Sequence, residues 1–259
     1  MTEEEFHNAL TWFQIVLSPL TMFATSKIRA PYGRHKQAGW GPEIPVRWGW
    51  IFMESPAVFL FLIVFFRGEK STEIAPLIYL TMWQFHYVHR TLIFPFRMHT
   101  GNKQMPLFVV LSAFSFQIMN VYVNAWHLSH FSTPHRYTGD SWLTDPRFVI
   151  GLALFALGFV VNIHSDTILI KLREQGGGDG VYQIPMGGMF RFVSCPNYLG
   201  EIIEWIGYAI STWSLPGFAF ALYTVANLVP RAFSHHEWYE QKFENYTSFR
   251  RKAVIPFLA

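Results

Sequence analysis

Apolar residues in this chain run in long blocks, and charged residues gather between them. Seven stretches, at 6–27, 46–66, 73–95, 105–126, 146–173, 198–213 and 215–236, are mostly apolar. Each matches or approaches the roughly 20 residues that a helix needs to cross a hydrocarbon core. The pattern predicts an all-α integral membrane protein with seven transmembrane helices forming one domain over 1–259. The sixth stretch is short and turns tightly into the seventh at Ser214, Leu215 and Pro216. Charge bias sets the orientation. Glu3, Glu4 and Glu5 precede the first stretch without a Lys or Arg, whereas Lys27, Arg29, Arg34, Lys36 and Arg47 lie around the next connection. Arg97 and Lys103, then Lys171, Arg173 and Arg191, then Arg231, Lys242, Arg250, Arg251 and Lys252 mark the same side again. The N-terminus is therefore expected outside and the C-terminus in the cytoplasm.

Composition agrees. Of 259 residues, 51% are hydrophobic, 18% aromatic and only 14% charged, against about 25% charged in a soluble domain. The mean hydropathy is +0.19. A net charge of +3 is too small for a nucleic-acid footprint, so no nucleic acid is expected as a partner, and no obligate protein partner is evident. The single cysteine, Cys195, excludes an internal disulfide and any Cys-based metal cluster. The acidic start predicts no secretory signal. No internal repeat of the transporter kind is present. Gly176 to Gly180 reads as a flexible cytoplasmic loop, not a dinucleotide fingerprint, since the G-x-G-x-x-G spacing and a preceding strand are both missing.

Ionisable residues inside spans cost about 2.5–3.5 kcal/mol at mid-membrane and are functional candidates for that reason. Glu54 in the second span and Tyr87 in the third each lie about eight residues from the cytoplasmic end, roughly 12 Å deep at 1.5 Å per residue. The two spans are antiparallel neighbours, so these side chains can meet, as a site or as a structural hydrogen bond. Asn162, Asp166 and Arg173 share one face of the fifth span. They line a cavity, or Asp166 pairs with Arg173 at the helix end. Arg231, His235 and Tyr239 repeat at i+4, as a cavity wall or as a snorkelling basic end. Asn197 is placed to cap the sixth span, with Glu201 and Glu204 behind it. All these groups face the cytoplasmic half, where soluble nicotinamide cofactors are found. His86 with His89, and His235 with His236, lack the spacing and third ligand of a metal site, so no metal is expected. His86 reads instead as a hydrogen-bond partner behind the site. Ser55 and Ser165 have no base and orienting group to make them nucleophiles.

Several strings at these positions resemble the steroid 5α-reductase family, the 3-oxo-5α-steroid 4-dehydrogenases. They are YGRH at 32–35, HYVHR at 86–90, DPRF at 145–148, NIHSD at 162–166, IPMGGMF at 184–190, NYLGEIIEWIGYA at 197–209 and HHEWYEQKFENY at 235–246. They run in family order over nearly the whole chain, although the final third alone is shared more loosely with other membrane reductases and with isoprenylcysteine methyltransferases. The resemblance implies a seven-helix, multi-pass reductase that takes NADPH and a 3-oxo-Δ4-steroid and passes hydride to carbon 5. It would sit among membrane lipid, in the endoplasmic reticulum of a eukaryote or the inner membrane of a bacterium. The family's substrate-carbonyl pair falls on Glu54 and Tyr87. Its cofactor-binding positions fall on Asn162, Asp166, Arg173, Tyr182, Asn197, Glu201, Arg231, His235 and Tyr239. One residue departs: mammalian steroid enzymes carry Gln immediately before this Glu, and the present chain has Met53. On this reading Tyr87 donates to the carbonyl oxygen and Glu54 is a second donor or orients Tyr87; the proton at carbon 4 comes from Tyr87 or from water. Rival readings are reduction of another enone or enoyl lipid, methyl transfer from S-adenosylmethionine, which the Glu54/Tyr87 pair counts against, and a non-catalytic sterol carrier.

Overall fold

The computed structural model describes residues 1–29, 31, 33–132, 137, 140–175 and 182–258. The glycine run expected as a cytoplasmic loop lies outside them. Helices dominate: α1 (Glu3–Lys27), α2 (Val46–Phe65), α3 (Ile74–Val88), α4 (Phe94–Arg97), α5 (Leu107–Trp126), α6 (Asp140–Leu143), α7 (Pro146–Gln175), α8 (Pro196–Thr212) and α9 (Leu215–Lys242). Among the described residues, three helical stretches, Val46–Phe65, Leu107–Phe131 and Pro146–Gln175, are long and apolar enough to cross a membrane. The third expected span is not one regular helix. A π-helical turn at His89–Ile93 joins α3 to α4, and a second at His127–Phe131 prolongs α5.

The all-α expectation holds apart from one short sheet: β1 (Glu43–Pro45) pairs antiparallel with β2 (Gln104–Pro106) in the register Ile44 opposite Met105. Pro45 and Pro106 are the N-cap residues of α2 and α5. The two strands therefore bring those helix starts together, and α2 and α5 pack along each other. Three-residue strands carry too little periodicity to be read from sequence.

Helix α1 is inverted relative to a soluble amphipathic helix. Its buried residues are the polar His7, Thr11, Gln14 and Ser18, while Trp12, Phe13, Leu20 and Phe23 are exposed. An outward apolar face suits surrounding hydrocarbon. The helix starts at a capping box, in which Glu5 N–H donates to Thr2 Oγ1 and Thr2 N–H donates to Glu5 Oε2. It packs against α9, so the first helix touches the last.

At the centre of the bundle, the fully buried rings of Tyr79, Trp83, Trp205 and Tyr208 pack with Phe61. Glycines set the closest approach. Gly151 and Gly158 of α7 face Gly207 and Gly200 of α8, and a Cβ on Gly158 would lie 2.3 Å from the backbone nitrogen of Glu204. Small residues at an interface let helix backbones approach this way. The C-terminal segment then pins the chain before α8: Ser194 N–H donates to Lys252 O at 2.8 Å and Cys195 N–H to Ala253 O at 3.0 Å.

Candidate active site

The close α7/α8 contact joins the first two candidate groups. Asn162 Nδ2 donates to the backbone oxygen of Asn197 at 2.9 Å, and Asn197 Nδ2 donates to Asp166 Oδ1 at 3.1 Å. Asn197 does not cap α8. The N-cap position is Cys195, and Asn197 stands inside the first turn with its side chain turned to α7. Asp166 faces Arg90, whose Nη1 is 3.5 Å from Asp166 Oδ2, and does not form the alternative helix-end pair with Arg173. Among the described residues Oδ2 has this ion pair but no hydrogen bond.

Arg90 is the central cation of this region. It sits on the π-helical turn, with Nη2 4.0 Å from Glu201 Oε2 and its guanidinium 4.5 Å from the centre of the Trp50 ring. Behind it, His86 Nδ1 lies 2.9 Å from Glu204 Oε1, both side chains buried. The sequence reading gave His86 a hydrogen-bonding role; the partner here is Glu204.

A cleft of about 220 Å³ opens beside these groups, with Asp166, Arg173, Asn197, Arg231, His235 and Tyr239 in its wall. Asn162, Tyr182 and Glu201 stand behind that wall. Asn162 holds the Asn197 backbone, Glu201 faces Arg90, and Tyr182 packs on Trp238 with ring centres 4.9 Å apart. The first connection folds over the end of α9, which sequence reasoning did not foresee. The Arg34 guanidinium lies 4.7 Å from the Trp238 ring centre and 4.9 Å from that of Tyr239. His35 Nε2 is 3.1 Å from His235 Nδ1, and His235 Nε2 is 3.1 Å from the Tyr198 hydroxyl. Burial, with Arg34 and Arg29 adding to it, pushes the His35 imidazole down to about 4, so it is neutral near pH 7. Cys195 also borders the cleft. Burial pushes its thiol up to about 12, which leaves it a weak nucleophile.

The inner end of the cleft reaches Trp50 and Arg90. One helical turn beyond each, at i+4 on α2 and i−3 on α3, stand Glu54 and Tyr87. The two meet through a third side chain. Gln117 Nε2, from α5, donates to Glu54 Oε2 at 2.7 Å and to the Tyr87 hydroxyl at 3.2 Å. The Tyr87 ring packs against Trp83 and Trp205, with centres 5.0 and 5.6 Å away, and those two rings also touch each other. Gln117 and Arg90 were missed as site residues. The signal for Gln117 was present, since Gln117, Asn120 and Asn124 share one face of an apolar helix. A search for charge passes over amides.

The arrangement is a polar cleft on one side and a hydroxyl–carboxyl pair on the other, Tyr87 buried and Glu54 half-buried, separated by a helical turn. The cleft suits a bulky polar molecule.

Comparison with known proteins gives the family. A family model described as 3-oxo-5-alpha-steroid 4-dehydrogenase matches residues 103–259. A tomato protein named steroid 5-alpha-reductase DET2 is 42% identical, covering 99% of this chain and 98% of its own length. The Arabidopsis protein of the same name is 40% identical over 94% of this chain and 93% of its own. Human 3-oxo-5-alpha-steroid 4-dehydrogenase 1 is 41% identical over 100% of this chain and 97% of its own.

Proposed function

The chain belongs to the 3-oxo-5-alpha-steroid 4-dehydrogenase family, and on that premise we propose that it is an NADPH-dependent enzyme reducing the Δ4 double bond of a 3-oxo-Δ4-steroid at the Glu54/Tyr87 pair. The observation that carries this assignment is the junction itself. A hydroxyl in a buried aromatic setting and a half-buried carboxyl group share one amide donor, one turn from a cationic cleft.

The cleft fits a phosphorylated dinucleotide by its donor set. Arg34, Arg173 and Arg231 offer charge-assisted hydrogen bonds to phosphate, and Asp166 Oδ2, ion-paired with Arg90 but without a hydrogen bond among the described residues, can accept from a carboxamide N–H. Ligand sites usually enclose roughly 300–1,000 Å³, so a dinucleotide opens this cleft beyond its present size. When bound, the cofactor supplies hydride to carbon 5.

The chain's own residues act on the ketone. Addition at carbon 5 drives negative charge onto the 3-oxo oxygen, and a donor aimed there stabilises the transition state more than the ground state. Tyr87 is that donor. Glu54, tied to the same amide, fixes the hydroxyl's surroundings. Trp83 and Trp205 exclude water, which strengthens the hydrogen bond in a low dielectric.

We propose the same membrane arrangement as the charge pattern gave: seven spans in one domain over 1–259, with the N-terminus outside and the C-terminus in the cytoplasm. The outward apolar face of α1 supports it, as does the packing of α1 on α9. The protein is then a multi-pass enzyme that meets its steroid within the lipid phase, in the endoplasmic reticulum of a eukaryote or the inner membrane of a bacterium.

The test is direct. Purified protein with testosterone or progesterone and NADPH should consume the enone absorbance and yield the 5α-dihydrosteroid by mass spectrometry. No turnover by folded, cofactor-bound protein with either steroid would refute the substrate assignment.

A further inference from the structure

We infer that Gln117 is a positioning residue for the reduction, orienting Tyr87 so that its hydroxyl proton is free for the substrate oxygen; this rests on the assignment of Tyr87 and Glu54 above. An amide nitrogen only donates. In the 3.2 Å contact the phenolic oxygen of Tyr87 is therefore the acceptor, and its own hydrogen remains available for another partner. The second N–H of Gln117 is held by Glu54 Oε2 at 2.7 Å. One side chain thus spends both its donors on the reacting pair.

The direction of this amide follows from its neighbours, which is how such assignments are made. Gln14 Nε2, on α1, donates to Asn120 Oδ1 at 3.0 Å, and Asn124 Nδ2 donates to the same oxygen at 3.0 Å. Asn120 must then turn its nitrogen to Gln117, and Asn120 Nδ2 lies 3.5 Å from Gln117 Oε1. A flipped Gln117 would set oxygen against the Glu54 carboxyl oxygen and NH₂ against NH₂ at Asn120. The chain Gln14, Asn120, Gln117 accordingly runs one way, from α1 to the pair, and all three residues are buried. Helix α2 supplies no competing amide beside Glu54, because Met53 packs with Met105 and Val110.

This polarity matters during the reaction. As the Tyr87 hydrogen shifts toward the substrate oxygen, negative charge grows on the phenolic oxygen, and the Gln117 N–H already points at it. The donor is in place beforehand, so no reorganisation is needed at the moment of hydride transfer.

A double-mutant cycle tests the inference, using single-turnover hydride transfer with saturating NADPH and steroid on Gln117→Met, Tyr87→Phe and the double variant, each shown to be folded and to bind NADPH. Gln117→Met keeps the side-chain length and removes both donors. It should slow transfer roughly tenfold, as loss of one modest hydrogen bond does, with the steroid KM little changed. In the Tyr87→Phe background it should slow transfer by less than about twofold, because the group it acts through is gone. Gln117→Asn, which keeps a buried amide but withdraws it by one methylene, should give the same pattern and serves if Gln117→Met does not fold. Equal tenfold losses in both backgrounds, or no loss beside an unaltered Tyr87, would overturn the inference while leaving the catalytic pair intact. A near-normal rate for Tyr87→Phe alone would overturn the pair and this inference together.

Discussion

Gly158 of α7 and Gly200 of α8 stand backbone to backbone: a Cβ on Gly158 would lie 2.5 Å from the Gly200 carbonyl oxygen, and one on Gly200 would lie 2.7 Å from that of Gly158. This contact is one turn from the hydrogen bond between Asn162 and Asn197, so the wall of the polar cleft is built on it. Gly200→Ala should therefore force the helices apart, lowering stability by about 1–3 kcal/mol, the usual cost of overpacking, and weakening cofactor binding as Asn197 moves. Thermal unfolding in detergent with a parallel NADPH titration checks this. An unchanged melting temperature would mean that the interface yields without cost.

The cleft makes a separate prediction about the cofactor. Arg34, Arg173 and Arg231 supply more cationic donors than the two phosphates of NADH require, so NADPH should bind more tightly than NADH. Arg231→Ala and Asn197→Ala should each raise the NADPH dissociation constant about tenfold or more, as loss of a hydrogen bond to a charged group does, and should change steroid affinity less. Fluorescence titration measures both ligands. Unchanged NADPH affinity in both folded variants would place the cofactor elsewhere.

Loop closure over α9 gives a pH prediction. The His35 imidazole is held down to about 4 by burial and by Arg34 and Arg29, whereas an unfolded histidine titrates near 6.5. The folded state thus binds fewer protons than the unfolded state between these values. The contribution of neutral His35 is complete above about 6.5 and is lost as pH falls toward 4. Stability should decline from pH 7.5 to pH 5, and His35→Gln, which cannot titrate, should flatten part of that decline. Melting temperatures of both proteins across this range give the comparison; parallel curves would remove His35 from the account.

Much of this was legible in the sequence because the membrane makes polarity conspicuous. Glu54, Asp166 and Arg231 stand out in apolar stretches by their cost alone, and helical spacing puts Arg231, His235 and Tyr239 on one face, as the cleft wall has them. What escaped was the set of partners chosen across helices. Nothing local says that Asp166 faces Arg90 instead of Arg173, because Arg90 lies on a different helical segment whose placement against α7 no periodicity gives. Nor does periodicity reveal that Asn197 reaches across to Asp166 instead of capping its own helix, since that depends on glycines bringing α7 and α8 into contact. Gln117 was hidden for a different reason: it is uncharged, and its importance lies in what α2 and α3 place beside it.

The measurement closest to the central claim is single-turnover hydride transfer by Tyr87→Phe with saturating NADPH and a 3-oxo-Δ4-steroid. The substitution removes one hydroxyl and keeps the ring packed against Trp83 and Trp205, so folding and NADPH binding should survive and be verified first. Loss of a donor to a developing oxyanion should slow the step roughly 100- to 1,000-fold, about 2.7–4 kcal/mol. A rate within a few-fold of the unmodified enzyme would contradict the account and leave Tyr87 as a packing residue in the aromatic core.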